Sequence, residues 1–259
     1  MTHDVIQGDC LDVLPTLASQ IIDVVITDPP FNIGKAYNTY VDNKSRDEYI
    51  EWCEQWLGQC IRTLKPGGAL YLINYPENNA RLIPYLDDNM TFRRWLVWHF
   101  PAHITSPGNY TRSHYSILYY TKGEPAMFNR KDILEPYKNL TDARIKKLIK
   151  KGFTLSEPAG RTPWDVLDHD IVRNTSKEKT SHPCQIPLDI LEMFIRASSN
   201  KGDTILDPFG GSGSTAAAAK RVERDSVTIE MDTAYIKVIN ARLRRTSPVA
   251  TLEGLFEAN

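Results

Sequence analysis

The sequence predicts an α/β fold built on a doubly wound, mostly parallel sheet, and three observations carry that prediction. Short apolar, β-branched runs recur at residues 21–27, 204–206 and 226–229, with the length and composition of strands buried on both faces. Segments with helical spacing of apolar residues separate such runs, as crossovers between parallel strands require. The run at 204–206 leads through Asp207-Pro208-Phe209 into a glycine-rich turn, Gly210-Gly211-Ser212-Gly213, and then into Ser214-Thr215 and four alanines, a helix start.

The elements follow in order. Residues 4–7 read as the first strand, ended by Gly8-Asp9, and 21–27 as a buried parallel strand ended by Asp28. Ser45 and Glu48 make a capping box. Tyr49, Cys53, Trp56, Cys60, Ile61 and Leu64 mark the apolar face of the helix that follows, and Pro66-Gly67-Gly68 stops it. Strands are predicted at 69–73, 95–100 and 114–120, the last antiparallel at the sheet edge. Pro187 suits the first turn of a helix running to about residue 197, and Ser214 or Thr215 suits the cap of the alanine helix. A strand at 226–230 and a helix at 233–244 complete the chain. Ligands of doubly wound sheets lie across the carboxyl ends of strands, so Asp9, Asp28, Asp207 and Glu230, each at a strand end, converge on one crevice.

Two motifs carry chemistry. Asp28-Pro29-Pro30-Phe31 presents an acid, rigid carbonyls and an aromatic ring together. The lone pair of a nucleobase amine is delocalised into its ring, and only hydrogen-bond acceptors draw it out. Asp28 and the Pro29 carbonyl supply two acceptors, the prolines contribute no N–H, and Phe31 offers a stacking face for an extruded base. A plain turn leaving a strand explains the tetrapeptide alone equally well. The second motif is the glycine-rich turn, where missing Cβ atoms let backbone approach a ligand. A dinucleotide fingerprint has glycine directly after the strand; here Asp207 stands there, better suited to a cationic ligand end than to a pyrophosphate. Glu230, at the end of the next strand, has the usual place of an acid that binds ribose hydroxyls.

Together, Asp28-Pro29-Pro30-Phe31 and the later Asp207-Pro208-Phe209-Gly210-Gly211-Ser212-Gly213-Ser214-Thr215 resemble the motifs of the DNA amino-methyltransferases, in the order of their permuted β-group. Gly8-Asp9, Trp164-Asp165-Val166 and the stretch from His182 to Pro187 extend the resemblance over nearly the whole chain. It implies a Rossmann-like methyltransferase sheet with an inserted target-recognition segment. The implied division is 1–121 for the catalytic part, 122–180 for target recognition and 181–259 for the cofactor-binding part of the same domain. It also implies S-adenosyl-L-methionine as cofactor and transfer of its methyl group to adenine N6 in duplex DNA by base flipping. Adenine is preferred because Asp opens the tetrapeptide, where cytosine-N4 enzymes more often carry Ser. Cytosine N4 remains the alternative, with methylation of RNA or a protein amide, or a non-catalytic nucleic-acid-binding protein on the same fold, beyond it.

The implied catalytic residues are Asp28, Pro29, Pro30 and Phe31. Cofactor contacts fall on Asp9, Cys10, Asp28, Pro29, His182, Pro183, Gln185, Pro187 and Leu188, on each of Asp207 to Thr215, and on Glu230 and Met231. Asn32, Lys35, Arg112, His114, Lys146, Lys147, Lys150 and Lys151 are the DNA candidates, although a histidine in an aromatic strand is more often a packed core residue. The chain departs from the family at Phe31, commonly tyrosine, and at Ile186, commonly lysine. Phenylalanine keeps the stacking face; the lost lysine alters a contact beside the cofactor.

Composition agrees with one soluble enzyme of 259 residues and 41% hydrophobic content. No apolar run is long enough to span a membrane and the start is no signal peptide, so a cytoplasmic protein is expected. Cys10, Cys53, Cys60 and Cys184 lack ligand spacing, so no metal site is expected, and Cys53 and Cys60 read as core. A net charge of −1 argues against non-specific polyanion binding by the whole surface, so any nucleic-acid contact should be localised. Between Lys122 and Lys179, however, 13 Lys or Arg face 9 Asp or Glu, clearest at Arg144, Lys146, Lys147, Lys150, Lys151 and Arg161. A solvated helix over 141–151 explains this by itself; its place in the implied target-recognition segment favours DNA. A homodimer and a separately acting cognate restriction endonuclease are the further partners the resemblance raises.

Overall fold

The computed structural model describes residues 1–35, 40, 42–101, 108–124, 126–135, 143–152, 160–172, 176, 179–182 and 184–249. Eight strands, β1 (His3–Gln7), β2 (Ile22–Thr27), β3 (Leu64–Asn74), β4 (Thr91–His99), β5 (His114–Thr121), β6 (Val166–Asp168), β7 (Thr204–Asp207) and β8 (Asp225–Glu230), form one sheet. Its order is β1-β8-β7-β2-β3-β5-β4-β6, and β5 alone runs against the other strands. The helices are α1 (Cys10–Val13), α2 (Arg46–Thr63), α3 (Pro76–Asn89), α4 (Ala143–Lys150), α5 (Leu188–Ser198), α6 (Ser214–Arg221) and α7 (Thr233–Arg245).

Strand periodicity divides the core between the two sheet faces. Leu70 and Leu72 of β3 face one way and pack with Cys53, Trp56 and Cys60 of α2 and Leu82 of α3. Ala69, Tyr71 and Ile73 face the other way, toward Ile190 and Phe194 of α5 and Ala218 of α6. There Tyr71 is stacked between Tyr119 and Phe194 at 4.6 and 4.4 Å, and shares a 2.7 Å hydrogen bond with Ser198. The helix layers fix the strand ends, where the acids lie.

Three expectations need correction. Strand β5 is antiparallel but interior, paired to β3 on one side and β4 on the other, and its unbroken burial from Ser116 to Thr121 is the physical reason. The edge is the three-residue β6, short enough to offer little template for further pairing. Pro66-Gly67-Gly68 does not separate helix from strand. Strand β3 begins at Leu64 and carries these residues as a bulge, Ile22 pairing with Leu64 and Val24 with Ala69. Gly67, at φ +79°, donates to the Lys122 carbonyl at 2.7 Å, and the Lys122 ammonium reaches the Ile61 and Leu64 carbonyls that end α2. Finally, Gly213, not Ser214 or Thr215, is the N-cap of α6. Its left-handed φ of +72° turns the chain into the helix, and Ser214 and Thr215 become the first two helical residues. Helix α3 is an addition that the sequence reading lacks. The capping box of α2 is present in both directions.

Candidate active site

Strands β2 and β7 are neighbours, and the chain leaves them in opposite directions, β2 toward β3 and β7 toward β8. At such a switch point the carboxyl ends open to a ligand. Asp28 follows β2 and Asp207 ends β7, and both line one cleft. Its walls also hold Asp9, Cys10, Pro29, Pro30, Phe31, His182, Pro208, Phe209, Gly210, Gly211, Ser212, Ser214, Thr215, Glu230 and Met231. The four strand-end acids are therefore together.

Each acid is held differently. Asp9 caps α1, accepting from the Leu11 N–H at 2.9 Å. Glu230 accepts from the N–H of Gly211 at 2.7 Å and of Asp232 at 2.8 Å, which fastens the glycine turn to β8. Asp207 accepts from the Phe209 N–H at 3.0 Å. Burial pushes the carboxyls of Asp207 and Glu230 up from the ordinary range. The Glu230 charge adds to the effect at Asp207 and the Asp232 charge to that at Glu230, against the bonds they accept. Burial, with the Asp207 charge beside it, also holds Asp28 well above that range. No lysine or arginine is among the described residues lining the cleft, so this acidic wall suits a cationic ligand. A Cβ at Gly210 would stand 2.5 Å from the Thr228 methyl and 3.0 Å from Ile239, so the turn admits only glycine without rearrangement.

The tetrapeptide is fixed from behind. Tyr49 of α2 donates to the Pro30 carbonyl at 2.7 Å and is itself bonded by Asn74 at 2.9 Å; Asn78 donates to the Phe31 carbonyl at 2.9 Å. Apart from Asp28's own backbone N–H, no described residue donates to its carboxylate, and Asp28 lines the cleft. Phe31 is 5.1 Å from Tyr75 and 5.6 Å from Tyr115, and Tyr115 continues to Trp98 and Phe100 at 5.1 and 5.2 Å. Through Phe31 this aromatic wall reaches the cleft, and Tyr115 is near enough to Asp28 for its charge to act on the phenol.

Of the other candidates, His182 alone is on the cleft wall among the described residues. Gly213 turns the chain behind the cleft wall, Pro187 is the N-cap of α5, and Leu188 packs into the core. Gln185 is buried and accepts from the Thr180 N–H at 3.0 Å, shaping the turn below His182. His182 packs edge-on to Tyr235 at 4.5 Å, and burial lowers its pKa. Pro183 lies outside the described residues. Asn32 has φ +58° and donates through its side chain to the Lys44 carbonyl at 2.8 Å, and Lys35 donates to Cys184 at 3.1 Å. Arg112 lies 3.9 Å over the Tyr75 ring and pairs with Glu77 at 2.7 Å. His114 is half-buried opposite His99. Lys146, Lys147 and Lys150 are exposed on α4 and Lys151 in the turn after it, and none of them lines the cleft.

Sequence reasoning missed Tyr40, Trp52, Cys184 and Tyr235 on the cleft wall. Trp52 precedes Trp56 by one helical turn and packs on Phe209 at 5.5 Å, the one signal that pointed there. Tyr75 and Trp98, behind Phe31, were also unread.

A switch-point cleft with an acid-ended glycine turn on one strand and Asp-Pro-Pro-Phe on the next defines a nucleotide-cofactor transferase of the doubly wound class. The chain belongs to the N6/N4 DNA methylase family, whose description, "DNA methylase", matches residues 22–241. It is 31% identical over 245 residues to the Type II methyltransferase M.HpaI of Haemophilus parainfluenzae, covering 94% of this chain and 74% of that protein. To the DNA adenine methyltransferase YhdJ of Escherichia coli (strain K12) it is 32% identical over 252 residues, covering 92% and 82%. Among solved structures, the cytosine-N4-specific PvuII DNA methyltransferase superposes with a TM-score of 0.73 at 19% identity, over 93% of this chain and 86% of that one. A DNA modification methylase of Thermus thermophilus complexed with S-adenosyl-L-methionine gives 0.65 at 20%, over 95% and 97%. These likenesses establish the fold. The chain is thus a DNA methyltransferase, and no helix among its described residues is long and apolar enough to cross a membrane.

Proposed function

We propose that the protein methylates adenine N6 in duplex DNA at a specific sequence, flipping the target base into the cleft. The observation that carries this reading is the Asp28 carboxylate, bonded by no other described residue, on one cleft with the acidic glycine turn and the Phe31 ring. The cleft residues fit S-adenosyl-L-methionine: Asp207 suits its ammonium end, Glu230 its ribose hydroxyls and Gly210 close backbone approach. When bound, that cofactor supplies an electrophilic methyl group on a sulfonium.

The chain's own residues do the rest. Phe31 stacks on the flipped base, while Asp28 and the Pro29 carbonyl accept hydrogen bonds from its amine and draw out the lone pair. Asp28 need not remove a proton before attack, since the amine turns acidic only once it is alkylated. Tyr49 and Asn78 keep the loop carbonyls aimed. Adenine is favoured by the acid that opens the tetrapeptide and by the name of YhdJ. Residues 122–180 serve target recognition, with Lys146, Lys147, Lys150 and Lys151 on phosphates, and Arg112 and His114 beside the flipped nucleotide. A second copy of the chain covers DNA beyond this short segment, and a restriction endonuclease acts separately.

The test is transfer of labelled methyl from S-adenosyl-L-methionine to mixed-sequence duplex DNA, read by nucleoside mass spectrometry. N6-methyladenine is expected from the wild type, and Asp28→Ala should lose it by about a hundred-fold or more while largely sparing cofactor binding. N4-methylcytosine would replace the target; full turnover by the variant would remove Asp28 from catalysis.

A further inference from the structure

Asp42 is only 3% exposed although it lies in the loop after the tetrapeptide, where an acid ordinarily faces water. Among the described residues it makes no ion pair. Its carboxylate is filled by backbone instead: Oδ1 accepts from the Asn32 N–H at 2.8 Å, and Oδ2 from the N–H groups of Ile33 and Lys35, each at 3.0 Å. The Asp42 carbonyl accepts from the Gly34 N–H at 2.9 Å. Four consecutive amides thus converge on one residue, and Asn32 adopts its left-handed φ within that grip.

The gripped segment touches both halves of the site. It starts directly after Phe31, whose carbonyl Asn78 holds. At its far end the Lys35 ammonium donates to Cys184 Sγ, on the segment that carries His182 against the glycine turn. Tyr40, two residues before Asp42, is on the cleft wall beside Trp52 at 5.9 Å. We infer that Asp42 is a positioning residue that locks the loop behind Asp28-Pro29-Pro30-Phe31 and couples it to the cofactor side of the cleft. This rests on the methyl-transfer reading. Asp42 touches no reacting atom; it acts by keeping the tetrapeptide's continuation in one conformation, so loosening it should cost turnover more than folding.

Asp42→Asn tests this, because one acceptor oxygen becomes an NH2 group set against a backbone N–H, while Asp42→Glu keeps the carboxylate. At saturating DNA and cofactor, kcat of Asp42→Asn should fall about ten-fold or more, with Asp42→Glu recovering part of it and the melting temperature moving by less than about 3 °C. A kcat within about two-fold of wild type overturns the proposal, as does a loss that merely tracks melting temperature in both variants. Amide hydrogen exchange reads the loop without any substrate. Exchange over residues 31–35 should quicken about ten-fold or more in Asp42→Asn, with β2 and α2 unchanged. Unchanged exchange there overturns the proposal whatever the wild type methylates. A loosened loop in a protein whose wild type modifies no DNA would support the grip and count against the substrate reading.

Discussion

At the scale of single residues, the site depends on atoms that are missing as much as on those present. Gly210 lies where backbone from β8 and a side chain of α7 close in: besides Thr228 and Ile239, the Ile229 carbonyl would be 3.2 Å from a Cβ. Thr228 and Ile239 are both fully buried, so neither has room to withdraw. Gly210→Ala should therefore cost about 1–3 kcal/mol of stability by overpacking. It should also weaken cofactor binding, since the turn that moves is fastened to Glu230 through Gly211. Denaturant unfolding and calorimetric titration with S-adenosyl-L-methionine check the two effects. A variant with normal affinity would show that backbone approach at Gly210 does not matter.

At the scale of elements, α2 links folding to catalysis because its first turn carries Tyr49, the donor to the Pro30 carbonyl. Ser45→Ala breaks the capping box and should cost about 1 kcal/mol, or a fall of about 2–4 °C in melting temperature. Its kcat should drop only if the first turn frays, which Tyr49→Phe, with the helix intact, separates. Elements such as β2, β7 and β8 are legible from sequence because β-branched runs ending in acids have few other uses, and the capping box announces α2. Helix α3 is not, since Pro84 lies inside it and buried Asn79 breaks its apolar face, bonding to Ser116 of β5 instead. The bulge in β3 is hidden for a related reason: Pro-Gly-Gly signals a stop locally, and long-range pairing, with β2 on one side and with Lys122 just after β5 on the other, keeps it in the sheet. The site divides likewise. Motif residues on strand ends could be read, whereas Asp42 and Tyr40 reach the site through a loop, which leaves no period in the chain, and Tyr75 sits at the cap of the unread α3.

At the scale of the whole molecule, gathering acids at one cleft makes stability depend on pH in an unusual direction. Asp28, Asp207 and Glu230 all have carboxyls held above the ordinary range, so from about pH 4 toward neutrality these three acids bind more protons in the folded chain than in the unfolded one. Their contribution to stability then falls as pH rises through that window, because each acid must ionise in a wall whose described residues include no lysine or arginine. A cationic ligand reverses the sign: it favours the ionised acids, so its affinity rises with pH and its binding releases protons. The rise in melting temperature produced by a fixed, saturating concentration of S-adenosyl-L-methionine should accordingly be larger at about pH 7 than at about pH 5. In Asp207→Asn that difference should shrink, because the acid at the base of the glycine turn then carries no proton to release, while Asp28 and Glu230 remain. Thermal unfolding with and without cofactor at the two pH values measures it, and an equal increment at both in the wild type would mean that the acids are already ionised in the empty cleft.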